Sequence, residues 1–159
     1  MLMKKWVARQ RDRQQALKDG IPESRAFAFL KRLNQALRVE YSLIIHYPYI
    51  ATLMRDKEIK KLSTELGAAS IHHADVVASI VTQMGGRPEW AFDHFPEGTD
   101  IQKIFRVQLS KEQAALQLHK GSAEMFPAGA YRDALIGLAI EEEQHIQLVE
   151  EILSMLARR

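Results

Sequence analysis

The chain has 159 residues, no cysteine and a net charge of +2; 47% of its residues are apolar and 26% charged. That composition suits one globular domain with a sizeable core, and it excludes disulfides, thiolate-held zinc, iron–sulfur clusters and a cysteine nucleophile. No apolar run approaches the roughly 20 residues that cross a bilayer, so no membrane span is expected. The opening MLMKKWVARQRDRQQALKDG lacks an apolar core and a small-residue cleavage site, which reads as a cytoplasmic chain without a secretory signal.

Residues 1–22 carry Lys4, Lys5, Arg9, Arg11, Arg13 and Lys18 against Asp12 and Asp19. This is read as a basic N-terminal arm, solvated or packed as a short helix. An acidic partner is the sharper alternative, but no interleaved aromatics support nucleic-acid binding, which is not expected.

Residues 23–159 read as one four-helix domain without strand signals. The first helix is expected over 24–55, with Ser24 as N-cap and Pro48 inside it, kinking it or freeing a carbonyl near Ile44. The second runs 57–84 and stops at Gly85-Gly86-Arg87-Pro88. A loop follows to about residue 100. The third helix covers 101–126, stops at Phe126-Pro127-Ala128-Gly129, and the fourth covers 131–157. Tight joins make helices 1 and 2, and helices 3 and 4, antiparallel hairpins. The connection between helices 2 and 3 is long enough to cross a bundle, giving an all-α, antiparallel four-helix bundle with one long crossover.

Each helix carries an apolar stripe at three- and four-residue spacing, and each stripe is interrupted near its middle. The first reads Leu33, Leu37, Glu40, Ile44, Tyr47. The second reads Leu66, Ala69, His73, Val76, Ile80. The third reads Leu109, Glu112, Leu116, His119, Ala123, and the fourth Leu138, Glu142, His145, Val149. Helix midpoints share one level in an antiparallel bundle, so Glu40, His73, Glu112, Glu142 and His145 should converge. One buried Glu–His pair is commonly a structural hydrogen bond. Three carboxylates at one level are a different matter, because each costs several kcal/mol without a counter-charge. One or two cations remove that cost, and the oxygen and imidazole donors suit iron, manganese or zinc. Glu142 and His145, three residues apart, leave one helix face about 4.5 Å apart along the axis.

The ordered set resembles the ligand pattern of ferritin-like di-iron carboxylate proteins, and bacterioferritins in particular. "LNQALRVEYSLIIHY", "IHHADVVASIVTQMGGRP", "RVQLSKEQAALQLHKGSAE" and "EEEQHIQLVEEIL" are similar to that family's four helix segments. The resemblance implies that Glu40, His73 and Glu142 hold one metal and Glu112, Glu142 and His145 the other, with Glu142 bridging. It also implies a second-helix bridging Glu three residues before His73, where this chain has Ser70. One filled position, or an altered metal preference, is compatible with that change. Haem is not expected, since the methionine that would ligate it is replaced by Ile71. A fifth helix is missing, so a closed cage is in doubt while smaller homo-oligomers remain open.

Other groups carry less weight. Tyr47 resembles a tyrosine near the metals, an accessory donor of an electron or hydrogen bond, with core packing the simpler reading. His119 is either an accessory metal site or, by default, a satisfied core histidine. His72 points about 100° away from His73 and is a poor substitute ligand. His46 and His94 are assigned no role, and Glu141 and Glu143 are expected to face solvent or a neighbouring helix. The resemblance implies ferroxidase-type oxidation of Fe(II) by O₂ or peroxide. Alternatives are another di-metal oxidase, peroxidase or hydroxylase on the same scaffold, or a bundle with a degenerate site that serves binding or assembly.

Overall fold

A computed structural model describes residues 23–158; the basic arm of residues 1–22 lies outside the described residues. The described residues form four helices: α1 (Glu23–Leu53), α2 (Lys57–Gln83), α3 (Ile101–Met125) and α4 (Ala130–Ala157). Among the described residues there is no strand, and no helix is long and apolar enough to cross a membrane.

The boundaries follow from local chemistry. Asp56 caps α2 by accepting from the backbone N–H groups of Glu58 and Ile59, both at 2.9 Å. Asp100 caps α3 through the N–H of Lys103 at 3.0 Å. At the end of α2, Gly85 takes a φ of 76°, and the N–H groups of Gly85 and Gly86 donate to the carbonyls of Thr82 and Val81. That is the double bond of a left-handed helix stop, which glycine adopts without strain. Helix α1 is described from Glu23 and takes in Ser24, whose expected capping bond lies outside the described residues. Pro48 does not end α1, which continues to Leu53. The helices approach closely there. A Cβ on Gly67 of α2 would meet Tyr47 Cβ at 3.2 Å and Pro48 Cδ at 3.3 Å.

Cross-helix contacts fix the topology. Glu40 meets His119 and Tyr47 meets Glu112, so α1 and α3 run antiparallel. Lys120 meets Glu143 and Gln102 meets Leu156, so α3 and α4 do too. Leu30 lies against Gly86 and Tyr47 against Gly67, which makes α1 and α2 the other hairpin. Helices α2 and α3 are therefore parallel, and residues 84–100 must travel the length of the bundle to join them.

That crossover climbs α1. Asn34 bonds to Arg87 and Glu89, Ser42 to Asp93, and Tyr49 stacks edge-on with Phe95. Under this strap, His46 is fully buried and in contact with Gln108 (3.2 Å) and the Asp93 carbonyl (3.0 Å). His46, assigned no role from the sequence, is thus a core histidine. Burial pushes its pKa down, against the upward pull of its hydrogen bonds to Asp93 and Gln108. Asp93 also accepts from Arg38 at 2.8 Å and from Lys111.

The core has two apolar layers. One contains Phe29, Leu33, Leu37, Val77, Ile80 and Leu135; the other contains Leu43, Ile50, Leu66, Phe105, Val149 and Ile152. Burying each such side chain is worth about 1.5–3 kcal/mol. In all four helices the polar interruptions fall between these layers. The layers fix the helices, and the polar slab between them is held wherever the helices put it.

Candidate metal centre

Glu40, His73, Glu112 and Glu142 are fully buried in this slab and His145 is 8% exposed. The structure brings all five together, and it adds a sixth: His119, also fully buried. His119 Nε2 lies 3.0 Å from Glu40 Oε1 and 3.6 Å from Glu142 Oε1. His73 Nδ1 lies 2.6 Å from Glu142 Oε1 and 3.6 Å from Glu40 Oε1. On the other side His145 Nδ1 lies 3.4 Å from Glu142 Oε2 and 3.7 Å from Glu112 Oε2. Two donor sets result, Glu40–His73–His119–Glu142 and Glu112–Glu142–His145, each with one ligand atom per residue within 4.8 Å of the others. Glu142 belongs to both. The five residues singled out in the sequence fall within these two groups, and His119 is added to the first.

Groups around the slab orient it. Tyr47 OH donates to Glu112 Oε1 at 2.5 Å, so the tyrosine is bonded to a member of the cluster as well as packed. Glu141, expected to face solvent or a neighbouring helix, accepts from His73 Nε2 at 2.9 Å while its side chain stays 44% exposed. A carboxylate behind an imidazole turns the ring's other nitrogen, here Nδ1, toward the cluster. Glu143 faces outward and accepts from Lys120 at 2.6 Å. Ser70 is buried, but its hydroxyl donates to the Leu66 carbonyl at 3.2 Å, and it joins neither donor set. His72, His94 and Ile71 are exposed and stand outside the cluster.

Burial and the contacts among these groups shift their protonation strongly. Both ring nitrogens of His73 face carboxylate oxygens, so both donate and the ring is an imidazolium. Burial opposes that charge, but Glu142 and Glu40 outweigh it and push the pKa up to about 11. Burial likewise opposes charge on His145, and Glu112 and Glu142 raise it to about 9. His119 is raised against burial by Glu142 and Glu40. Burial also opposes ionisation of Glu142, yet contacts with His119, His145 and His73 hold its carboxyl well below the usual range. Glu112, with burial uppermost and His145 opposing, rises to about 7.

Protons do not satisfy the slab. Glu40 Oε2, Glu112 Oε2, Glu142 Oε2, His119 Nδ1 and His145 Nδ1 are buried without a hydrogen-bond partner. Three of these atoms, Glu112 Oε2, Glu142 Oε2 and His145 Nδ1, face one another at 3.4–3.7 Å as ion pairs, while Glu40 Oε2 and His119 Nδ1 have no hydrogen-bond partner. Orphaned buried polar atoms are rare in folded proteins, so the contacts within the cluster do not use up its donors. Three carboxylates and three imidazoles fit a divalent transition ion. His119 was open to discovery from sequence: it stands seven residues after Glu112 on the same stripe. Glu141 was not, because its exposed position says nothing of the bond it makes inward.

No family model matches the sequence, and no curated protein is detectably similar to it. Solved structures are similar in fold. A dodecameric thioferritin related to bacterioferritin, from Bacteroides fragilis, superposes with a TM-score of 0.76 at 21% identity, covering 91% of this chain and 95% of that one. Desulfovibrio desulfuricans bacterioferritin, described with a di-iron site, gives 0.73 at 19% identity over 86% and 84%. Rhodobacter capsulatus bacterioferritin, described with a metal-free dinuclear site and haem iron, gives 0.69 at 22% over 82% and 86%. The chain has the ferritin-like four-helix bundle fold.

Proposed function

We propose that the protein binds iron between its four helices and oxidises Fe(II), with O₂ or peroxide as electron acceptor. The observation that carries this reading is the pair of buried donor sets, Glu40–His73–His119–Glu142 and Glu112–Glu142–His145, joined through Glu142 between the two apolar layers. Bound iron would supply the redox chemistry. The chain's own residues set the conditions. Glu40, Glu112 and Glu142 supply negative charge that favours the higher oxidation state. Glu142, shared by both donor sets, ties them together. Glu141 fixes the His73 ring, and Tyr47 fixes one oxygen of Glu112. The apolar layers above and below exclude bulk water. Manganese and zinc satisfy the same donors.

Self-association belongs to this reading. The Bacteroides neighbour is described as dodecameric, and this chain exposes Phe27, Tyr49, Ile71, Trp90 and Ile140. Light scattering of the full chain should give a mass several times the monomer's.

A second reading is a bundle without metal that serves binding or assembly, and Ser70 favours it, since its hydroxyl is spent on Leu66. The experiment that separates the two is metal content after purification, followed by Fe(II) oxidation under air. Bound metal and oxidation faster than in buffer are expected, and Ser70→Glu should raise both. An unmetallated wild type that Ser70→Glu does not improve would establish the second reading instead.

A further inference from the structure

We infer that His119 is a metal ligand, and that with Glu40, His73 and Glu142 it makes one half of the centre a complete site for a single divalent transition ion. The inference rests on the proposed reading of the core as an ion site. It goes beyond that reading in assigning a ligand to α3 one heptad past Glu112, and in making the two halves unequal.

The geometry is specific. Glu40 Oε1 and Glu142 Oε1 each face both His73 Nδ1 and His119 Nε2, at 2.6 to 3.6 Å. The two rings are perpendicular, with centroids 6.1 Å apart, so their nitrogens approach the same pair of oxygens from different directions. All four side chains are fully buried. Glu40 Oε2 has no hydrogen-bond partner, and Glu142 Oε2 meets only His145 Nδ1 at 3.4 Å, so the contacts among these four residues do not exhaust their donors.

Charge separates the halves. Ser70 leaves the cluster with three carboxylates. A divalent ion between Glu40 and Glu142 is neutralised by those two, with neutral His73 and His119 completing four ligands. A second ion finds only Glu112 uncommitted, and one oxygen of Glu112 already accepts from Tyr47. The first ion is therefore held more tightly than the second. The two-imidazole half suits zinc or cobalt(II) as well as iron(II).

The test uses the full chain, stripped with a chelator and titrated with Zn(II) by calorimetry and with Co(II) by visible absorption. Two unequal classes of site are expected. His119→Ala should weaken the tighter class by about 100-fold or more, since loss of an outer-shell partner alone costs about 10–100-fold, and leave the weaker class in place. His119→Gln keeps a hydrogen-bond donor toward Glu40 and should not restore binding. Unchanged affinity in His119→Ala, or full recovery in His119→Gln, would show that His119 only pairs with Glu40, and the inference would fail alone. A wild type that takes up no ion would remove both this inference and the proposed function. Should both variants fail to fold, anomalous scattering from zinc-soaked wild-type crystals decides. An ion about 2.0–2.1 Å from His119 Nε2 supports the inference, and an ion that leaves His119 untouched overturns it.

Discussion

One buried histidine beneath the crossover and three in the central slab lie in one bundle, and physics treats them oppositely. Beneath the crossover, His46 is paired with the Asp93 carbonyl and Gln108, and burial pushes its pKa down. A neutral ring brings one proton to two partners. Nε2 faces the Asp93 carbonyl and Nδ1 the Gln108 side-chain oxygen, while the Gln108 amide nitrogen donates to the Ile104 carbonyl. No side-chain atom of His46, Gln108 or Ser42 is left buried and unpartnered. In the central slab, carboxylates raise His73, His119 and His145, and five buried atoms lack a hydrogen bond, three of them facing one another at 3.4–3.7 Å. A closed network holds a loop in place. The slab's three carboxylates and three imidazoles keep donors to spare. Burial alone, which the two clusters share, does not distinguish structure from function; the count of satisfied atoms does.

The largest expected break in the comparison is metal removal. At an ion concentration about 1,000 times Kd, binding to the folded state contributes about 4 kcal/mol. Chelation should then lower Tm by about 8–16 °C for a chain of this size, as read by differential scanning calorimetry. The strap cluster gives no such response.

The pH response comes next, and its signs oppose each other. His73 and His145 hold protons at neutral pH in the metal-free cluster, with pKa values of about 11 and about 9. An ion must displace them, so affinity should rise with pH, up to about tenfold per unit for each proton released. Metal-free stability runs the other way. A raised histidine stabilises fully below its unfolded value of about 6.5, and the contribution is lost as pH climbs through about 9 and about 11. Metal titrations and thermal melts across pH 6 to 9 check both slopes.

Smaller effects sharpen the strap's side. Gln108→Leu leaves His46 Nδ1 unpaired and should cost about 1–3 kcal/mol in urea unfolding, with ion affinity unchanged. Arg38→Ala removes a half-exposed pair with Asp93 and should cost under about 1 kcal/mol. Any change in metal affinity from either variant would mean that the two clusters are coupled.

The sequence carried the bundle, its crossover and five of the six clustered residues, because helical periodicity reports directly what faces the core. Glu40, His73, Glu112, Glu142 and His145 each break an apolar stripe at mid-helix. His119 breaks its stripe too, but it stands two turns from Glu112, and only the antiparallel offset of α1 and α3 sets it opposite Glu40. His46 and Gln108 were illegible for another reason. They sit one residue beside the stripes, on flanks buried by the strap, and helix periodicity does not report the path of a loop. Glu141 is half-exposed and reaches inward through a single bond; nothing in its spacing distinguishes it from a solvated neighbour.

Glu142 is where the two donor sets meet, and its removal tests the centre most directly. Equilibrium dialysis of the chelator-stripped full chain against Fe(II), without oxygen, should show binding in wild type and a loss of about 100-fold or more in Glu142→Ala. Helical content should be retained. Equal iron binding by wild type and Glu142→Ala, or none by either, would contradict the reading of these helices as walls around an ion.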